Sequence, residues 1–219
     1  MLPRHGHETS ARRPLTRERI LDGAIELIER DGPAALTMRR LGTALGVEGM
    51  AIYHHFKGRD DLLDAIAEAL LAPLGELQPG GEWRSACADF ATRLREIAVA
   101  RPATFQLVGM RPLGEGSLAP VERLLATLVD ARFEPCIALA IYRATASYAR
   151  GYALAETTGF TVDAAGNGGL ERLQGLSPTD FPVLAGRATE LVRLDPDRAF
   201  QLGLKALLRG IDDPEPPSR

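Results

Sequence analysis

From Leu15 onward the apolar residues recur at helical spacing. Ile20, Leu21, Ala24, Leu27 and Ile28 fall at i, i+1, i+4, i+7 and i+8, with Arg17, Asp22, Glu26, Glu29 and Arg30 between them, which is the period of a helix with one buried face. Thr16 has the side chain of an N-cap, and Gly32-Pro33 is a stop signal. A second helix is predicted to start at Thr37, turn Met38, Leu41 and Leu45 inward, and end at Gly46, which supplies the left-handed residue of a tight turn. A third is predicted over 49–55. Residues 16–56 therefore read as three short helices, the last two joined by Gly46-Val47-Glu48, a helix-turn-helix pattern.

Helical periodicity continues downstream. Asp60 is placed to cap a helix over 60–77; Trp83, Ala86, Phe90, Leu94 and Ile97 mark another that Pro102 ends; residues 102–110 predict a short one. Leu118, Val121, Leu125, Leu128 and Val129 form an apolar stripe. The longest helix is predicted over 135–158, its charges confined to Glu134 at the edge, Arg143, Arg150 and Glu156 in a narrow stripe. A helix apolar nearly all round must be covered on nearly all sides. The Gly-rich stretch 159–175 lacks helical periodicity and reads as a mobile loop, followed by a helix near 182–192. Asp195-Pro196 reads as N-cap and first residue of the last helix. That helix carries two stripes: Phe200, Leu204, Leu207 and Ile211, and a smaller one of Ala199, Leu202, Gly203 and Ala206. No run alternates as a strand would. The expected fold class is all-α: a three-helix domain over 15–59, a larger helical domain over 60–212, a disordered basic tail over 1–14 and a Pro-rich tail over 213–219.

Composition narrows the function classes. The 219 residues are 45% hydrophobic and 25% charged, ordinary for a soluble globular chain and incompatible with wholesale disorder. No uncharged stretch approaches the roughly 18 apolar residues of a membrane span. Arg4, Arg12 and Arg13 are followed by no apolar run, so no secretory signal is expected and the location is read as cytoplasmic. Cys87 and Cys136 lie far apart within apolar helical patterns and read as free thiols. The four histidines, His5, His7, His54 and His55, all fall in the first quarter, so no imidazole metal site is available downstream. No cofactor, metal site or catalytic residue is expected. Charge is uneven: residues 1–60 hold ten Lys and Arg against eight Asp and Glu, while the rest hold sixteen against twenty-one. The overall pI of 5.9 is no argument for nucleic-acid binding. Any such argument must come from location.

Location supplies it. Val47, Ile52 and Phe56 are spaced to pack the third helix onto the first two, which leaves Met50, Ala51, Tyr53 and His54 pointing outward. An exposed methyl and thioether suit contact with thymine methyl groups in a major groove. Tyr53, His54, His55, Lys57 and Arg59 cluster at the far end, and Thr37, Arg39 and Arg40 open the preceding helix, a surface of hydroxyl, backbone amides and cations suited to phosphates. Thr37-Met38-Arg39, Leu45-Gly46-Val47, Ile52-Tyr53-His54-His55-Phe56 and Arg59-Asp60-Asp61-Leu62-Leu63 resemble, in one order, the DNA-binding domain of the TetR family of transcriptional regulators. Two departures stand out. Gly42 stands where the family usually has Ala, at about 1 kcal/mol of helix propensity, and Gly49-Met50 replaces the commoner polar start of the recognition helix, so the operator cannot be carried over from a relative.

The resemblance implies that Thr37, Tyr53, His55, Lys57 and Arg59 hold phosphates, while Arg39, Gly49, Met50, Ala51 and His54 lie nearest the base edges. Arg40 belongs to the same DNA-binding set, with a surface salt bridge as its alternative. The remainder resembles the family's helical ligand-binding and dimerisation domain. This implies a homodimer joined by the last two long helices, a palindromic double-stranded operator, and a small organic effector that releases a repressor from DNA. Phe90, Leu94, Phe105, Met110, Leu124, Tyr148 and Tyr152, bulky or amphipathic and drawn from different helices, are the ligand-binding candidates. The lack of histidine beyond His55 separates the chain from tetracycline repressors proper, which resemble it in the first domain but use a histidine with a metal-chelated drug; a metal-free effector is implied. The competing reading is a small all-α enzyme or carrier using the C-terminal cavity, but the second domain offers no histidine and no paired-carboxylate motif for it.

Overall fold

The computed structural model describes residues 14–76, 82–109, 111–158, 168–193 and 195–214, so the predicted tails lie almost wholly outside the described residues, as do Leu77 and Met110. Every regular element among the described residues is helical. The chain forms two compact units, one up to Leu62 and one from Leu63.

The first unit is built on local capping. Helix α1 (Arg17–Asp31) starts where the Thr16 hydroxyl accepts from the Arg19 amide, and Gly32, at φ 83°, ends it by donating to the Ile28 carbonyl. Ile20, Ala24, Leu27 and Ile28 are its buried face. Helix α2 (Met38–Leu45) is capped by Thr37, whose hydroxyl accepts from the Arg40 amide, and by Gly46 at φ 69°. The left-handed conformation costs an L-residue roughly 1–2 kcal/mol, so glycine is the natural occupant. Helix α3 (Gly49–Ile52) is shorter than the predicted 49–55. Beyond Ile52 the chain tightens into turns, with His55 and Phe56 both donating to the Ile52 carbonyl. Ile52 and Phe56 are buried as predicted, while Val47, Met38 and Leu45 are only half-buried.

Helix α4 (Arg59–Leu71) begins one residue before the predicted start. Asp61 accepts from the Lys57 amide of the approaching chain at 2.8 Å. The α-helix also ends early, giving way to a 3-10 turn over Ala72–Glu76. Pro73 lies in that turn, and an interior proline breaks the α-helical ladder.

The second unit is organised around α5 (Trp83–Ala100), which packs along α8 (Pro135–Thr158), the longest helix, as predicted. Cys87, Phe90, Ala91, Leu94 and Ala98 meet a face of α8 carrying Ala138, Tyr142, Ala146, Ala149 and Ala153, all buried. The small alanines let the helices approach closely, and the rings of Phe90 and Tyr142 meet edge-on at 5.8 Å. Helix α6 (Pro102–Val108) and α7 (Ala119–Asp130) flank this pair. In α7 the buried face is Pro120, Leu124, Thr127 and Leu128, so the predicted stripe is rotated and its ends, Leu118 and Val129, are exposed.

The region read as a Gly-rich loop is helical in its last part. Helix α9 (Gly169–Gln174) follows Gly168 at φ 71°; residues 159–167 lie outside the described residues. The helix predicted over 182–192 is broken at Arg187 into α10 (Pro182–Gly186) and α11 (Ala188–Leu191), where glycine, a poor helix former, precedes the break. Helix α12 (Pro196–Arg209) starts as predicted, with the Asp195 carboxylate accepting from the Arg198 amide. Its buried residues are Phe200, Leu204 and Leu208, while Leu207 and Ile211 are half-buried. Gly203 does not face outward with Leu202 and Ala206: a Cβ there would collide with Tyr148 of the same chain.

Glu156 also departs from the outward stripe. Arg95, its side chain 8% exposed, takes Glu156 in a bidentate pair at 2.8 and 2.9 Å and Asp197 at 2.7 Å, joining α5, α8 and α12. The guanidinium lies 5.0 Å from the Phe200 ring centroid. Burial works against the Arg95 charge, but the hydrogen bonds to Glu156 and Asp197 outweigh it and raise the pKa above the ordinary arginine value.

Candidate nucleic-acid interface

The helix-turn-helix is held by backbone contacts that side-chain periodicity does not reveal. Val47 donates to the Gly42 carbonyl at 2.9 Å, and Gly46 donates to Thr43 at 3.2 Å. A Cβ on buried Gly42 would lie 2.9 Å from the Gly49 nitrogen and from the Val47 carbonyl oxygen, so only glycine fits without movement. Two arginines of α1 clamp the ends of the motif. Arg19 donates to the Leu45 carbonyl at 2.9 Å, and Arg17 donates to the His55 carbonyl at 2.8 Å with its guanidinium 4.1 Å from the Phe56 ring centroid. The sequence pattern placed Arg17 on the polar face of α1 but carried no sign of its partner, and it singled out no role for Arg19.

Ile52 is fully buried, and its neighbours turn outward. Met50 is 68% and Tyr53 47% exposed, His54 is exposed, and Ala51 and His55 are half-buried. Exposed thioether and phenol on one short helix and its turn are unfavourable in water and suit a groove lined with methyl groups and phosphates. Thr37 is exposed and uses its oxygen as an acceptor in the cap, which leaves the hydroxyl proton free to donate. Arg39 and Lys57 are exposed. Arg59 is exposed too, with a long contact of 3.4 Å from Nε to the Leu36 carbonyl.

Arg40 differs from its neighbour. It pairs with Asp31 at 2.8 Å, and Asp31 is shared with Arg30 at 2.8 Å. Arg30, joined by Arg40, holds the Asp31 carboxyl below its ordinary pKa. The trio lines an open cleft of about 370 Å³ over α1 and α2, to which Arg39 and Thr43 also contribute. The salt-bridge alternative for Arg40 is thus the arrangement observed.

In the second unit the ligand-binding candidates are not gathered on a single contact. Tyr148 and Tyr152 pack together on Phe200, with ring centroids 5.3 and 5.2 Å from it, and donate to the carbonyls of Phe200 and Pro196. Phe90 faces Tyr142, and Leu94, Phe105 and Leu124 are buried. The described residues include no cluster able to hold a metal ion and no helix long and apolar enough to cross a membrane.

Comparison with known proteins extends the likeness over both units. Residues 20–66 match the family described as bacterial regulatory proteins, tetR family, and residues 75–214 match the tetracyclin repressor-like C-terminal domain. An HTH-type transcriptional regulator of Saccharopolyspora erythraea is 32% identical over 175 residues, covering 78% of this chain and 74% of the relative. The class C tetracycline repressor protein of Escherichia coli is 31% identical over 203 residues, covering 90% and 91%. The likeness to tetracycline repressors therefore continues well beyond the first domain. Among solved structures, ActR of Streptomyces coelicolor in complex with actinorhodin superposes with a TM-score of 0.72 at 27% identity, covering 90% of this chain and 97% of ActR. These relatives are regulators and repressors of transcription, not enzymes, and with both units matched the chain belongs to the TetR family of bacterial transcriptional regulators.

Proposed function

We propose that this chain is a homodimeric, cytoplasmic, ligand-responsive repressor that binds a palindromic operator and leaves it when a small organic molecule binds. The observation that carries the DNA-reading role is the exposure of Met50 and Tyr53 on a helix-turn-helix whose inward residues, Leu41, Ile52 and Phe56, are fully buried. In this reading Met50, Ala51, His54, Gly49 and Arg39 meet base edges, and Thr37, Tyr53, His55, Lys57 and Arg59 meet phosphates. Arg40 joins them by exchanging Asp31 for a phosphate. The first domain spans 15–59, and the domain over 60–212 carries ligand binding and dimerisation.

Dimerisation is supported by the outward faces of the last long helices. On α8, Ile137, Leu139 and Leu154 are exposed among alanines, and on α12 Leu202 is 64% exposed beside Ala206. Covering such faces is favourable at about 25 cal/mol per Å². A dimer presents two recognition helices, which enter successive major grooves when about 34–36 Å apart. An effector held among Phe90, Leu94, Phe105, Met110, Leu124, Tyr148 and Tyr152 releases DNA only by favouring a dimer of different spacing. ActR is described in complex with actinorhodin, which supports an organic effector.

The test pairs sedimentation with a gel shift against DNA flanking the chain's own gene. A dimer at micromolar concentration and a retarded band are expected. With Arg40, Lys57 and Arg59 on phosphates in each head, about six charges are neutralised, so log K falls with log salt at a slope near −5. A monomer, or a slope shallower than about −2, overturns the reading.

A further inference from the structure

We infer that Gly42 and Gly49 act together as a specificity-determining seam: their bare backbones set how closely the recognition helix lies against α2, and so which bases Met50 and Ala51 reach. The inference rests on the DNA-reading role proposed above. The two positions at which this chain departs from the family pattern are not independent, because they touch. A Cβ on Gly42 would stand 2.9 Å from the Gly49 nitrogen, 3.0 Å from the Gly49 Cα and 2.9 Å from the Val47 carbonyl oxygen. All three are backbone atoms, which cannot swing aside as a side-chain tip does. From the other side, a Cβ on Gly49 would lie 3.4 Å from the Met38 carbonyl oxygen and 3.6 Å from the Arg39 Cα. The two helices therefore meet backbone to backbone, with Gly42 itself buried and its carbonyl holding the Val47 amide at 2.9 Å.

The consequence for reading follows from geometry. An alanine at 42 needs an ordinary separation of about 3.4 Å or more, so the start of α3 must move away from α2 by several tenths of an ångström. The residue after Gly49 is Met50, the most exposed large apolar side chain among the described residues, and Ala51 follows it. Base readout is a matter of hydrogen-bond and methyl contact distances, so a displacement of that size at the root of a four-residue helix changes which contacts are made. Gly42 touches no base. It is a positioning residue, and the helix propensity lost there is exchanged for a fixed seat for α3.

The experiment uses the full chain and a pool of random duplexes of about 30 bp. The wild type is first used to enrich a preferred duplex; no enrichment would overturn the DNA-reading role itself, separately from the seam. Affinities are then measured for that duplex and its single-base-pair variants with Gly42→Ala, Gly49→Val and Leu41→Val, alongside thermal unfolding. Leu41→Val loosens the buried core without adding bulk to the seam and should weaken every duplex by the same factor. Gly42→Ala should change the affinity ratio between bases by about fivefold or more at one or more positions of each half-site, the scale of a single mismatched pair. If Gly42→Ala does not fold, Gly49→Val carries the test: its Cβ already stands at contact distance, 3.4 Å, from the Met38 carbonyl oxygen, so the further methyl groups must move α3 from α2 and should re-rank the same positions. Uniform weakening by the folded seam variants, or equal re-ranking by Leu41→Val, overturns the inference.

Discussion

The Arg95 network permits a prediction in which three groups of different burial are separated by substitution. Arg95 has 8% of its side chain exposed, Glu156 25% and Asp197 78%. Both carboxylates sit within 2.9 Å of the same guanidinium, so distance alone would rank them equal. Burial does not. Removing one member of a largely desolvated pair costs about 3–5 kcal/mol because the other charge is left without compensation, whereas an exposed pair contributes about 0.2–1 kcal/mol. Glu156→Ala should therefore cost about 3 kcal/mol and Asp197→Ala less than about 1 kcal/mol. Arg95→Met/Glu156→Met, which removes both charges, should lie closer to wild type than Glu156→Ala, since an apolar pair of similar volume replaces a desolvated ionic one. Urea unfolding followed by far-ultraviolet circular dichroism measures all three, at one protein concentration because association adds to apparent stability. With a slope of about 3 kcal/mol/M, the Glu156→Ala midpoint should fall by about 1 M. Equal losses for Glu156→Ala and Asp197→Ala would refute the reasoning, because burial would then not govern the network.

Three further outcomes follow from particular groups. Exposed Cys136 should react rapidly with a thiol reagent, while Cys87, buried and with its thiol pushed up to about 11 chiefly by that burial, should react only on unfolding; two fast thiols per chain would contradict this. Asp213 accepts from Arg84 at 2.6 Å and from the Trp83 indole at 3.0 Å, and these partners hold its pKa below the ordinary carboxylate value. Its contribution is therefore complete above pH about 4 and lost as pH falls through the depressed value, so emission of the single tryptophan should show an acid transition that Asp213→Asn removes. In binding assays Lys57→Ala should weaken all duplexes alike, while Met50→Ala should change which duplex is preferred; a change of preference in Lys57→Ala would count against its phosphate role.

What the sequence made legible is what closes within four residues. Thr16, Thr37 and Asp195 each cap the amide three positions on, and Gly46 takes the left-handed turn, so a residue type and its offset were enough to mark these ends. The buried face of α1 was equally plain, because a 3.6-residue period needs no knowledge of what lies opposite. The recognition helix was placed correctly and drawn too long, since Tyr53, His54 and His55 continue the chain as turns, in which the His55 and Phe56 amides share the Ile52 carbonyl. Arg17 shows where the reading stops. An arginine on a polar face has the same local pattern whether it is solvated or, as here, bound to a carbonyl 38 residues away.

In the second unit the errors share one physical origin, that several faces of a helix are apolar and periodicity cannot say which one meets which neighbour. Glu156 reads as a surface charge until α5 brings Arg95 to it across 61 residues of sequence. Gly203 reads as one of a stripe of small residues with Leu202 and Ala206 until Tyr148 occupies the space above it and donates to the Phe200 carbonyl at 2.8 Å. Gly42 is the counterpart in the first unit: propensity counts it as a loss of about 1 kcal/mol, and only the 2.9 Å approach to Gly49 shows why an alanine, the better helix former, does not fit. A glycine that weakens its own helix is informative for that reason. Its disadvantage is local and its compensation lies in another element, so the residues that violate local preference point to the contacts on which the placement of α3 depends.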